Sequence, residues 1–336
     1  MRSRSMSPSR TVRPLAVGLV LLPLLAACGA SDDTTTSEGT ALAEAGAFPV
    51  AVTHEFGTTT IDEEPQRIVT LGVTDADVVL ALGKVPVGNT GYAFFDDGLG
   101  PWTDDLVEGH DLTFLESDSA PSLEQVAGLD PDLIIGVSAG FDEATYDALA
   151  EIAPVVGRPA GVPAYTASRE DAVELIASAL GQPSAGERLV EETDAALASA
   201  RADHPELAGS TGAAVLPYDG KYGAFLPGDA RGQFLADLGV TLPEAVSERD
   251  TGDSFFVELS RENVGALDGD VLLVLSDDED IDLAAENPLF AGLGVVQDDG
   301  VVVATTEERG AITYNSPLSV PYAVENLVPR LAAAVS

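Results

Sequence analysis

The chain has 336 residues, 16 of them basic and 56 acidic, for a formal charge of −40. Such a balance excludes nucleic acid and an anionic membrane face as partners, since both are held through clusters of Lys and Arg. A single Cys allows no internal disulfide, so the fold has to rest on its apolar core.

Residues 1–27 contain Arg2, Arg4, Arg10 and Arg13, no acid, and an apolar run from Leu15 to Ala27 interrupted by Gly18 and Pro23. A basic head, a short apolar middle and a small-residue exit describe a secretory signal. The alternative is a membrane anchor, which its length disfavours, because a span needs about 20 apolar residues. The run exits through Leu25-Ala26-Ala27-Cys28-Gly29, similar to a bacterial lipobox, in which the Cys is lipidated and becomes the first residue of the mature protein. The only thiol of the chain, Cys28, is therefore expected to serve as a lipid anchor, and several acyl chains hold a protein durably where one is marginal. Residues 30–47 are Ser, Thr, Asp, Glu, Gly and Ala with almost no large apolar side chain, a polar tether. Without residues 1–27 the chain keeps 12 basic and 56 acidic residues, formally −44. Acidity of this kind serves solubility more than recognition, and it makes the few cations worth following. Lys84 and Lys221 are the only lysines.

Phe48 to Ile61 alternates around Gly57 and reads as a hairpin. Arg67–Leu71 is a short buried strand, Asp75–Leu82 a helix with Thr74 as N-cap and Gly83 as stop, and Val85–Gly88 the next strand. Asp132–Val137 is almost continuously apolar, as in a parallel sheet covered on both faces. Glu143–Ile152 is a helix and Pro154–Val156 a strand. The alternation then gives way to two helices, Arg169–Leu180 and Ser184–Asp203, the second about 30 Å long. It resumes with a strand at Gly212–Leu216, a helix at Gly232–Leu238, strands at Val271–Leu275 and Val301–Val303, and a closing amphipathic helix at Val320–Val335. Two α/β halves flank one long helix, and ligands favour such junctions and the carboxyl ends of parallel strands.

These residues, in this order, resemble the ferric-siderophore substrate-binding proteins of ABC importers. The resemblance runs through Phe48-Pro49-Val50, Pro65-Gln66-Arg67-Ile68-Val69, Ala81-Leu82-Gly83 with Pro86-Val87-Gly88, and most specifically Leu123-Glu124-Gln125-Val126 with Asp130 to Ile135. Ile152 to Val156, Leu259 to Val264 and Ser316-Pro317-Leu318-Ser319 extend it. It implies a class III periplasmic-binding-protein-like fold, two Rossmann-like lobes joined by a single long crossing helix. The expected division is signal peptide 1–27, tether 28–47, N-terminal lobe 48–183, crossing helix 184–204 and C-terminal lobe 205–336. It further implies a monomer that binds an Fe(III)-siderophore without chemistry or resident cofactor and presents it to an ABC permease. Asp77 and Glu244 are the expected docking acids, one on each lobe; in so acidic a chain, a solvated surface group is the default reading of either.

A siderophore already wraps its iron in oxygen, so its receptor needs aromatic walls and hydrogen-bond donors rather than metal ligands. Loops after the expected strands supply Tyr92, Trp102, Ser138, Tyr218, Lys221, Tyr222, Arg231, Arg309 and Tyr314 as candidates; Tyr165 lies where similar proteins often carry Trp. For each, a lid on the core or an ordinary surface ion pair is the competing role, and Glu307 and Glu308 stand ready to pair with Arg309. Few cations favour a neutral or weakly charged hydroxamate-type chelate over a trianionic catecholate. On the same scaffold, haem or a corrinoid is the alternative cargo. Gly136-Val137-Ser138-Ala139-Gly140 fits the esterase elbow, but only His204 follows Ser138, at the end of the long helix. His54, His110 and His204 are scattered without ligand spacing, which disfavours capture of a bare metal ion.

Overall fold

The computed structural model describes residues 43–91, 94–115, 121–252 and 254–335, which belong to one compact unit, Thr40–Ser336. Cys28 and Tyr92 lie outside the described residues. An antiparallel hairpin of β1 (Val50–His54) and β2 (Gly57–Ile61) opens this part of the chain. There follow β3 (Ile68–Thr70), α1 (Asp75–Ala81), β4 (Gly88–Asn89), α2 (Asp104–Val107), β5 (Thr113–Phe114), α3 (Leu123–Gly128), β6 (Leu133–Gly136), α4 (Glu143–Ala150), β7 (Val155–Gly157) and α5 (Arg169–Ala179). Their five strands make one parallel sheet, in the order β5-β4-β3-β6-β7. The sheet is covered on both faces, and its side chains alternate between two cores as the pleat demands. Ile68, Leu133, Ile135 and Val156 pack with α1 and α5, while Val69, Ile134 and Val155 pack with α3 and α4.

Helix α6 (Pro183–Asp203) comes next, 21 residues long with proline at its start, where the missing N–H costs nothing. Ala185, Leu189 and Val190 from its first half pack on the core of the first sheet, whereas Leu197 and Ala200 belong to the core of the second. One helix thus crosses between two cores.

The second half holds β8 (Gly212–Tyr218), β9 (Lys221–Phe225), α7 (Ala230–Asp237), α8 (Glu244–Ser247), β10 (Phe256–Leu259), β11 (Val271–Val274), α9 (Leu283–Glu286), α10 (Gly294–Gln297), β12 (Val301–Val303), α11 (Thr306–Tyr314), α12 (Ser319–Asn326) and α13 (Val328–Val335). Its sheet runs β10-β9-β8-β11-β12, the same order about its first strand as in the other half. The difference is local. Asp219 and Gly220, both at positive φ, turn β8 straight back into antiparallel β9 where the first lobe uses a helical crossover. Both sheets reverse direction of growth beside their first strand, between β3 and β6 and between β8 and β11, where ligands collect in open α/β sheets.

Three sequence expectations need correction. Lys221 and Tyr222 stand in β9 rather than in a loop. The second strand of the first lobe is only Gly88–Asn89, because Pro86 has no N–H for a ladder. The closing helix is two helices, α12 and α13, broken where Pro329 cannot donate to the residue four before it.

Candidate ligand-binding site at the lobe junction

The loop after β4 and the helix after β12 both leave the carboxyl ends of parallel strands, and they touch. Asn89, at the end of β4, donates from Nδ2 to the carbonyl of Asp97 at 3.2 Å, and Asp97 in turn receives Leu99 N. This pins a loop that carries Phe94, Phe95 and, in a short 3-10 turn, Trp102. Opposite stands α11, started by a full capping box in which Thr305 and Glu308 satisfy each other's backbone donors. Arg309, Gly310 and Tyr314 lie on it.

The contacts between them are aromatic and close. Phe95 meets Trp102 edge-on at 5.7 Å and Tyr314 at 6.2 Å, and Trp102 meets Tyr314 at 5.4 Å. Tyr314 donates its hydroxyl to the carbonyl of Gly98 at 2.7 Å. Gly310 permits this close approach, since a Cβ at that position would stand 2.6 Å from the Phe95 ring and the ring would have to shift. The Arg309 guanidinium sits 4.4 Å over Phe94 and is bonded to Asp277, which follows β11. Three of the candidates, Trp102, Arg309 and Tyr314, are therefore brought together by side chains that the sequence reading left out, Phe94 and Phe95.

Beneath this cluster lies Asp77 of α1, wholly buried. Its Oδ2 accepts from Trp102 Nε1 at 2.7 Å and from Ser316 Oγ, while Oδ1 has no partner. Burial without a cation in contact pushes its carboxyl up to about 7, against the pull of the two donors. The first-lobe docking acid expected at Asp77 is thus corrected: its carboxylate is spent inside the junction and offers nothing to a partner protein. Glu244, at the start of α8, is exposed.

The remaining candidates fall into separate places. Ser138 stands in the turn after β6 and is buried; its Oγ donates to Asp75 Oδ1 at 2.7 Å and accepts from Thr74 N at 2.9 Å. Asp75 also receives Val137 N and Ser138 N, and burial raises its pKa despite these donors. Ser138 is thereby a staple between β6 and α1, bonded to a carboxylate where an esterase would place an imidazole. His204 caps α6 beside Glu206, and buried His54 is bonded to Thr59. Tyr165 is exposed at φ +63, its ring close over Gly140 on the turn that carries Ser138. Tyr218 and Lys221 share one carboxylate, donating to Glu258 Oε2 and Oε1 at 2.8 Å each, and burial with that acid pushes the phenol up to about 12. Arg231 lies 3.7 Å over Phe225 and bonds Asp229, which also caps α7. Tyr222 is corrected outright, being 2% exposed and packed edge-on against Phe290 in the core. Among the described residues no group of His, Cys, Asp and Glu could hold a metal ion, and no helix is long and apolar enough to cross a membrane.

Residues 68–307 match the family described as periplasmic binding protein. The chain is 29% identical over 284 residues to a probable siderophore-binding lipoprotein, YfiY, of Bacillus subtilis (strain 168), covering 82% of each. It is likewise 29% identical over 289 residues to the ferric enterobactin-binding periplasmic protein FepB of Escherichia coli O6:H1, covering 80% of this chain and 88% of that one. Among solved structures it resembles PiaA of Streptococcus pneumoniae TIGR4 in complex with ferrichrome, with a TM-score of 0.73, 27% identity, and 85% and 98% of the two chains covered.

Proposed function

Because the chain belongs to the periplasmic binding protein family, we propose that it captures a ferric siderophore between its two lobes and delivers it to an ABC-type permease for iron uptake. The observation that carries this reading is the junction itself. An arginine on an aromatic ring, with Phe95 and Trp102 close by, converges where the carboxyl ends of the two sheets meet, and Tyr314, itself 2% exposed, backs these rings. Such a surface suits an iron already wrapped by its chelator, which asks for flat walls and donors. Relatives that bind ferric enterobactin or were crystallised with ferrichrome support the cargo class. In this reading the protein binds and releases without chemistry, works as a monomer, and is tethered outside the cytoplasmic membrane by lipid on Cys28. Glu244 is the exposed acid proposed to meet the permease from the second lobe.

Trp102 is the only tryptophan of the chain and stands in the junction, so intrinsic fluorescence reads the site directly. Titration with ferrichrome, ferric enterobactin and ferric citrate is expected to quench it with at least one of the three. The same chelate should stabilise the fold by about 2.7 kcal/mol when present at a hundred times its Kd. Neither quenching nor stabilisation with any of them would overturn the proposal.

A further inference from the structure

We propose that Asp277 is a built-in competitor for the cargo: its carboxylate occupies the Arg309 guanidinium and yields that place to an anionic oxygen of the ferric chelate. The inference rests on the siderophore reading and adds to it the residue that sets how tightly the chelate is held. It begins with an asymmetry. Arg309 Nη1 and Asp277 Oδ1 are 2.5 Å apart, yet the arginine side chain is 9% exposed and the aspartate side chain 95%. No other ion pair among the described residues is so uneven.

The consequence is energetic. A carboxylate that is already hydrated loses little when the pair opens, because water takes over its lone pairs at once. A guanidinium held over Phe94 in the protein has no such recourse, and its Nε already lacks a hydrogen-bond partner. It needs an oxygen anion from some source. Asp277 supplies one until a better-placed one arrives, and the carboxylate, hydroxamate or catecholate oxygens of a chelate are of that kind.

Two neighbouring acids, Glu279 and Glu308, are already engaged elsewhere. Glu279 is bonded through Oε1 to Thr306 N at 2.6 Å and Thr306 Oγ1 at 2.8 Å, at the start of α11. Glu308 serves the capping box and Arg330. The other arginine stacked on a ring in this lobe makes a contrast: Asp229, beside Arg231, is itself largely buried and caps a helix, so that pair is fixed.

The test compares Asp277→Asn with Asp280→Asn, which removes an equal charge from the same loop without touching Arg309, by Trp102 quenching with the three ferric chelates. Asp277→Asn is expected to bind the chelate that quenches the wild type about fivefold more tightly than Asp280→Asn does, the factor matching the roughly 1 kcal/mol of a good exposed pair. The gain should vanish when Arg309→Gln is added to either variant. Equal affinities for the two single variants would overturn the exchange while leaving the siderophore reading intact, and so would weaker binding by Asp277→Asn or a gain that survives Arg309→Gln. Absence of binding by the wild type and every variant, with all three chelates, would overturn both.

Discussion

Asp77 carries a charge problem that its neighbours only half solve. Two donors reach Oδ2, none reaches Oδ1, and no cation touches either. An unfolded aspartate gives up its proton near 3.8, whereas this one holds it to about 7. Between those values the folded state binds the extra proton. The contribution is therefore fully present below about 4 and is lost as pH rises to about 7. Asp77→Asn keeps the shape and removes the titration. Its unfolding free energy in urea, measured against wild type, should improve by roughly 1–3 kcal/mol between pH 5 and pH 8. A difference that does not move with pH would mean that Asp77 keeps one protonation state throughout. The residue also marks a limit of sequence reading. Its place at the start of α1 was legible, but the tryptophan that covers it comes 25 positions later and the serine 239 later. Tyr222 was misplaced for a related reason: a two-residue turn at Asp219-Gly220 decides whether it faces a cleft or the core.

At the scale of elements, the strands that build both parallel ladders were the easiest to read, because burial on two faces makes them continuously apolar, as in Leu133–Gly136 and Val271–Val274. Strands β5, β9 and β10 were not read, being short, at sheet edges, or mixed with Lys, Tyr and Glu. Helix α11 was also missed, although Thr305 with Glu308 three residues later is a helix-start signal present in the sequence. The long helix was read almost to its ends, since 21 residues without an internal proline leave few alternatives. What holds it to the first lobe is a close approach to α5, where a Cβ on Gly186 would stand 2.5 Å from that of Ala177. Gly186→Val should force the two helices apart and cost about 1–3 kcal/mol in chemical unfolding. Since Gly186 lies in the half of α6 that packs on the first lobe, the second lobe should keep its resistance to proteolysis in the variant. Unchanged stability would mean that the helices slide without penalty.

The whole molecule has far more acid than it can pair. Lys84, Arg158, Arg169, Lys221, Arg231, Arg309 and Arg330 are each already in an ion pair with one carboxylate, and Arg67 is taken up by the carbonyls of Leu129 and Asp130. The surplus of acids leaves most of them without a cation, and their mutual repulsion weakens the compact state. Added salt acts on the two populations with opposite signs. It screens the repulsion among many unpaired acids, and it also weakens the few exposed pairs, which contribute little to begin with. With 56 acids against 16 basic residues in the chain, the first effect dominates. The melting temperature should therefore rise between 0.1 and 1 M sodium chloride, while the screening length falls from about 10 Å to about 3 Å. Sodium chloride is preferable to sulfate here because sulfate also strengthens apolar burial and would blur the cause. A melting temperature that fell with salt would mean that the ion pairs, Arg309 with Asp277 among them, contribute more to the fold than the surplus acids take from it.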